Sequence, residues 1–364
     1  MARSLRRLVD SINSGVPRGY AVSGMEFGAD PGTEGTQYTK GVQNDYTYYA
    51  NKGLNPARVA LKWEKAQQTV GGDLDATYMG YCVDICNFAL SAGIKVMFEI
   101  HNFGGRDVSG TPRKVGTAQL TTVHFADLWT KFVQYFLDRP TQLAAIWGWD
   151  VMNEPADMPV PTTTSNYNTT SSATLMNQAG IDAIRAIDTT RYIVAEADSY
   201  SGAQNFVALY GANPTPWYTD ATGKLYYSWH YYFDSGNSGS YSGANQWFSG
   251  SGLAVTLGGD YLETIARWAN NRNLLINGNP AILIGEYGVI NETVTLGGSV
   301  RHNDEGYLTA LNDFMNVMDL YKIAGCHWAG GSWYSSPTAL SPSSTYTVDR
   351  AQMQVVGKHL GTVV

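Results

Sequence analysis

The sequence predicts an α/β protein, a (β/α)8 TIM barrel forming a single domain with long βα loops, on three observations. Short strand-like apolar runs alternate with helix-like segments along most of the 364 residues, the cadence of parallel β/α units. Eight such strands can be counted, the number that closes a barrel. No Gly-x-Gly-x-x-Gly turn follows the first strand, which removes the main signature of an open dinucleotide-binding sheet. The length exceeds the roughly 100 to 200 residues of an ordinary domain, but one barrel can fill it alone. Residues 1–364 are therefore read as one domain, with 1–18 as an N-terminal extension.

The elements follow in order. Strands are expected at Tyr20 to Phe27 and Ala57 to Leu61, and the first helix at Tyr78 to Ala92, where Tyr78, Tyr81, Cys82, Ile85, Phe88 and Ala89 recur at helical spacing. Strand three, Lys95 to Ile100, precedes a helix at Thr121 to Leu137; strand four, Ile146 to Met152, precedes one at Ala173 to Ile187. Strands five and six are placed at Tyr192 to Ala195 and Leu225 to His230, followed by a helix at Tyr261 to Asn271. Strand seven, Ala281 to Ile284, a helix at Asn303 to Leu320 and strand eight, Ile323 to Trp328, complete the set.

Three stretches rich in Ser, Thr, Gly or Pro (159–172, 235–252 and 330–345) begin just after predicted strands four, six and eight. In a barrel that position is the C-terminal rim, where sites are built. They are read as cleft-lining loops rather than interdomain linkers, with Tyr167, Tyr241, Trp247, Trp333 and Tyr334 available to a ligand.

Charged residues make up only 15%, against roughly 25% in an average soluble domain, while aromatics reach 12%. The net charge of −7 argues against nucleic acid and anionic lipid as partners, and no apolar run near 18 residues is present to span a membrane. Many Tyr and Trp with few charges suit sugar binding, although on composition alone they serve equally to fill a large core. Cys82, Cys86 and Cys326 imply no disulfide framework; Cys82 and Cys86, four apart without a nearby His, read as buried thiols rather than metal ligands. The first 15 residues hold Arg3, Arg6 and Arg7 without an apolar stretch behind them, so they do not read as a signal peptide.

The chemistry lies at the strand tips. Strand four ends Trp147-Gly-Trp-Asp-Val-Met-Asn153-Glu154-Pro155 and strand seven ends Ile282-Leu-Ile-Gly-Glu286-Tyr-Gly, each with a Glu at the C-terminal end of an apolar run. A carboxylate at the edge of a barrel core is costly unless paired or working, so the two are read as a facing pair across the mouth. Such a pair suits glycoside hydrolysis, which needs one protonated and one ionised carboxyl group. Arg58 on strand two, His101 and Asn102 after strand three, His230 and Tyr232 after strand six, and Trp328 on strand eight converge on the same rim.

With these residues in place the sequence resembles glycoside hydrolase family 5, in its endo-β-1,4-glucanase branch, over almost the whole chain. The resembling segments are Ser23-Gly-Met-Glu-Phe-Gly28, Arg58-Val-Ala-Leu-Lys-Trp-Glu-Lys65, Gly72-Asp-Leu-Asp75, Glu99-Ile-His-Asn-Phe-Gly104, Asn153-Glu-Pro155, Trp229-His-Tyr-Tyr-Phe-Asp234, Gly285-Glu-Tyr-Gly288 and the run from His327 to Trp333. The resemblance implies a retaining enzyme with Glu154 as acid/base and Glu286 as nucleophile. By position, Asn153 would bond the sugar 2-hydroxyl, Tyr232 and Arg58 would hold Glu286 ionised, and His101 and His230 would position hydroxyls or carboxylates. Trp328 would stack beneath the sugar at the cleavage point, with Trp333 among the supporting residues and Asn102 beside them.

The carboxyl groups should then stand about 5 to 5.5 Å apart, not 6.5 to 9.5 Å. The negative charge of Glu286 is expected to hold up the pKa of Glu154.

Ala156-Asp157 after Asn-Glu-Pro and Trp333-Tyr334 after strand eight depart from the family pattern, as does Ala195-Glu196-Ala197-Asp198 at strand five. For Glu196 and Asp198, surface or loop-capping roles are preferred over contact with an unusual sugar or a bound cation. The reading is therefore endo-hydrolysis of a glucan-like polysaccharide with no cofactor and no metal, by a monomer acting outside the cell. A β-mannanase, an exopolysaccharide depolymerase, and a non-catalytic binding or structural protein on the same barrel stand as alternatives.

Overall fold

The computed structural model describes residues 16–242, 254–296, 299–301, 303, 306–331, 338–340, 346 and 348–360. Eight parallel strands close into a barrel: β1 (Arg18–Val22), β2 (Ala57–Leu61), β3 (Val96–Ile100), β4 (Ile146–Asp150), β5 (Tyr192–Glu196), β6 (Leu225–Tyr232), β7 (Ile282–Gly288) and β8 (Ala324–Gly330). They pair in sequence order, and β1 closes the ring against β8. Nearly every strand residue is buried, because one face fills the barrel and the other lies under helices; that is why the strands read as unbroken apolar runs.

A helix follows each strand: α1 (Asn44–Asn51), α2 (Ala76–Ala92), α3 (Thr122–Leu137), α4 (Ser172–Arg185), α5 (Phe206–Tyr210), α6 (Ala254–Asn271), α7 (Tyr307–Tyr321) and α8 (Ala351–Lys358). In α2 the Asp75 carboxylate accepts the Tyr78 N–H at 2.8 Å, and Gly93, at φ 74°, closes the far end in the left-handed region that glycine enters freely. Its apolar stripe of Tyr78, Met79, Cys82, Ile85, Cys86 and Ala89 is buried. All three thiols are buried and unpaired, and burial holds Cys82 and Cys86 well above the ordinary thiol range.

Several boundaries differ from the sequence expectation for local reasons. Strand one was expected to reach Phe27 but stops at Val22, because Glu26 folds back to accept from Ser23 Oγ and, at 2.6 Å, from the Gly24 N–H. Strand seven was expected to end at Ile284 but runs on to Gly288. A register shift between Ile284 and Glu286 carries it through Gly285 and sets Glu286 beside His230 of β6. β6 likewise continues two residues past His230 to include Tyr232.

The aromatics mostly pack the fold: Trp63, Trp129, Trp149, Trp229 and Trp268 are fully buried. Two rings expected at the cleft belong to this packing instead. Tyr167 lies edge-on to Tyr210 and Trp217 while its hydroxyl meets Thr215. Tyr241 is buried, donates to the Gly288 carbonyl and lies edge-on to Tyr307. Trp247, Trp333 and Tyr334 lie outside the described residues. No helix among the described residues is long and apolar enough to cross a membrane.

Candidate active site

Arg58 organises the mouth of the barrel. Its guanidinium is fully buried in β2 and donates through Nε to Asp150 Oδ2 (2.8 Å), through Nη1 to Glu286 Oε1 (2.9 Å), and through Nη2 to Asn153 Oδ1 and Glu196 Oε1 (each 2.8 Å). Glu99 Oε1 stands 3.6 Å from Nη1. The planar, permanently charged fork suits this task of reaching several acceptors at once, which a lysine could not perform. Four carboxylates thus converge on one cation, brought together by the barrel from β3, β4, β5 and β7.

Glu286 is held from its other side by the Tyr232 hydroxyl, 2.7 Å from Oε2. Burial alone would raise its pKa, but the charges of His230, Arg58 and His101, with the Tyr232 hydrogen bond, outweigh burial and hold it below the ordinary carboxylate range. Glu286 is thus favoured as an anion.

Glu154 sits four residues beyond the end of β4, with a φ of 47°. Oε1 lies 2.7 Å from His230 Nδ1, and its backbone N–H donates to Glu196 Oε2 at 2.7 Å. Its pKa is raised, first by burial and then by the negative charges of Glu286 and Glu196, against the pull of His230. Burial therefore comes before the charge of Glu286, which the sequence reading had taken as the cause. One oxygen each of Glu154 and Glu286 and a ring nitrogen of His230 lie within 4.8 Å of one another.

His230 bridges the two sides. Nδ1 faces Glu154 Oε1 and Nε2 faces Glu196 Oε1 at 2.9 Å, with Glu286 Oε2 3.7 Å from Nδ1. Burial opposes its charge, but Glu196, Glu286 and the two hydrogen bonds raise its pKa well above the ordinary imidazole value. Both ring nitrogens thus face carboxylate oxygens, and the spacing of Glu154, His230 and Glu286 would also fit a metal ion.

His101 Nδ1 lies 2.7 Å from Glu99 Oε1, and its Nε2 lies 3.4 Å from the Asn153 amide. Burial works against its charge, but Glu99 and neighbouring carboxylates push its pKa up to about 10. Trp328, half-buried on β8, stacks against this ring at 5.8 Å between centroids and 25° between planes. Asn102 does not join the cluster. One residue further along, its amide oxygen accepts the Trp63 N–H at 2.8 Å and its Nδ2 donates to Glu64 at 2.7 Å, bracing the loop after β2. It does line a cleft of about 560 Å³ that His101, Phe103, Phe27 and Lys62 share.

Glu196 corrects the sequence reading most plainly: it is fully buried inside the cluster, not at a surface. Asp198 is a loop cap, accepting the Thr162 and Ser199 N–H groups. Glu99 and Asp150, paired in register on β3 and β4, were also missed. The rule that found Glu154 and Glu286, an acid at the end of an apolar strand, applies equally to Glu99, Asp150 and Glu196.

Comparison with known proteins gives the family and the fold. Residues 18–334 match the cellulase family, glycosyl hydrolase family 5. The chain is 25% identical over 319 residues to endo-beta-1,4-glucanase B of Emericella nidulans, covering 87% of this chain and 83% of that protein. It is 27% identical over 321 residues to endoglucanase 3 of Humicola insolens, with 85% and 68% covered. Among solved structures, Pseudomonas stutzeri endoglucanase Cel5A superposes with a TM-score of 0.75 at 23% identity, covering 96% of each chain, a likeness of fold.

Proposed function

The chain belongs to the cellulase family, glycosyl hydrolase family 5, and from that premise we propose that this glycoside hydrolase cleaves internal β-1,4 bonds of a glucan with retention of configuration. The observation that carries the reading is the opposed state of two carboxyl groups at one mouth. Glu286 is favoured as an anion and Glu154 as an acid, with oxygens of the two within 4.8 Å. That separation supports retention, since a water molecule between acid and base calls for about 6.5 Å or more.

In the first step Glu286 attacks the anomeric carbon as the glycosidic C–O bond breaks, and the Glu154 proton passes to the departing oxygen. Oε1 of Glu154 faces His230 Nδ1, which leaves Oε2 as the oxygen free to hand a proton to the leaving group. In the second step Glu154, now a carboxylate, takes a proton from water, whose oxygen displaces Glu286 from the anomeric carbon. Asn153, held by Arg58 and close to His101, is assigned to the sugar 2-hydroxyl, and Trp328 to the sugar face. The endo-β-1,4-glucan substrate rests on the activities for which the relatives are named, and action outside the cell by a monomer is part of the same proposal.

The test is twofold. Release of reducing ends should be greatest on carboxymethylcellulose or mixed-linkage glucan and small on mannan. Glu286→Ala should abolish hydrolysis and regain turnover with azide, giving the α-glycosyl azide; failure of rescue at position 286 counts against its role as nucleophile.

A further inference from the structure

We propose that Glu196 is a positioning residue for the catalytic acid, fixing both the backbone and the histidine that aim Glu154. The inference rests on the reading of Glu154 as the acid. Three N–H donors from different parts of the barrel converge on this one carboxylate. Oε1 accepts from Arg58 Nη2 at 2.8 Å and from His230 Nε2 at 2.9 Å, while Oε2 accepts from the Glu154 backbone at 2.7 Å. The third contact matters most. Glu154 holds a φ of 47°, a region non-glycine residues enter only when their surroundings impose it, and Glu196 anchors the amide of that residue.

Arg58 does not by itself account for Glu196, because it also donates to Asp150, Glu286 and Asn153. What Glu196 adds is the connection to His230 and to the Glu154 backbone. His230 in turn reaches Glu154 Oε1, so the acid is held at both its main chain and its carboxyl group. The Glu196 carbonyl is itself fixed, accepting from Asn177 Nδ2 and Tyr218 Oη at 2.7 Å each. Only an ionised carboxylate meets three donors with acceptors alone; a glutamine in either orientation turns its NH2 group toward a donor.

The experiment separates loss of acid catalysis from general damage by changing the leaving group. Cleavage of a cello-oligosaccharide expels a sugar alkoxide and needs the Glu154 proton. Cleavage of 2,4-dinitrophenyl β-cellobioside expels a stable phenolate and does not. General acid catalysis contributes on the order of 10²–10⁴-fold, so Glu196→Gln should lower kcat/KM on the oligosaccharide roughly 100-fold or more and on the dinitrophenyl substrate by less than about tenfold. The ratio of the two is independent of the folded fraction.

An equal fall on both substrates overturns the proposal. Should Glu196→Gln be inactive on both, Glu196→Asp is read by the same ratio, and an unchanged ratio there overturns it too. Loss of both activities in both variants would make Glu196 a residue of the fold and likewise overturn it. A wild-type enzyme inactive on both substrates would instead refute the proposed function, which keeps the two failures distinct.

Discussion

The Nδ1 atom of His230 lies 2.7 Å from Oε1 of Glu154. The same nitrogen stands 3.7 Å from Glu286 Oε2, so one imidazolium serves two carboxyl groups with opposite tasks. It lowers the pKa of each, yet the groups still part. Burial and the charges of Glu286 and Glu196 prevail at Glu154, whereas Arg58, His101 and Tyr232 add to His230 at Glu286. The acid and the nucleophile are separated by their other neighbours.

The pH profile of kcat/KM follows from that parting. Activity requires Glu286 ionised and Glu154 protonated, so it falls on the acid side as Glu286 takes up a proton and on the alkaline side as Glu154 loses one. The acid limb should lie below, and the alkaline limb above, the ordinary glutamate value of about 4.3. His230→Asn removes a cation that lowers both groups, so both limbs should move to higher pH. A shift of either limb to lower pH would contradict the assignment.

Tyr232→Phe isolates one support of the nucleophile. The lost hydroxyl donates 2.7 Å from Glu286 Oε2, and a hydrogen bond to a charged group is worth about 1.5–3 kcal/mol. Activity should fall roughly 10- to 100-fold. Because the hydrogen bond lowers the Glu286 pKa, the acid limb should move up in pH. Steady-state kinetics across the acid limb measures both effects.

Much of this was legible in the chain. Strand two was placed at its observed bounds, Ala57–Leu61, because an interior strand between turn signals leaves few choices. α1 was not, because its Asn-Asp-Tyr-Thr-Tyr-Tyr-Ala-Asn sequence carries its apolar face on tyrosines, which read as polar or as ligand contacts. α5, with five residues, is too short for a helical period to emerge. Gly285 looked like the end of strand seven, whereas its missing side chain is what lets that strand continue against β6. Glu154 and Glu286 were visible because their strands end in them. The partnership of Glu196 with Arg58 and His230 was not, since its donors lie 138 and 34 residues away in sequence and meet only when the barrel closes.

Gly285→Ala tests that missing side chain. A Cβ there would lie 2.6 Å from Ser228 Oγ and 2.8 Å from His230 Nε2, closer than such contacts occur, so the imidazole must move off Glu196. Overpacking of this kind costs about 1–3 kcal/mol, so the variant should fold with a lowered Tm. Its activity should nonetheless fall at least about tenfold, since a tenfold loss takes only about 1.4 kcal/mol in the transition state. Calorimetry with kinetics at a temperature below both transitions separates the two effects.

Arg58→Met tests the centre of the cluster. The substitution keeps an apolar side chain of moderate length in the barrel but leaves Glu99, Asp150, Glu196 and Glu286 without the cation they share. Breaking a buried ion pair by removing one partner costs about 3–5 kcal/mol, and here four acids lose the same partner. Even in the intact protein, burial, with the charges of Glu196 and Glu99, pushes Asp150 up to about 8 against the pull of Arg58. Without Arg58 the folded state should bind more protons at these carboxylates than the unfolded chain does. Stability then rises as pH falls. The deficit of Arg58→Met relative to the wild type should therefore be greatest near pH 8 and narrow steadily toward pH 5. Urea unfolding at four pH values across that range measures it, and a deficit independent of pH would mean that Arg58 acts through packing rather than charge.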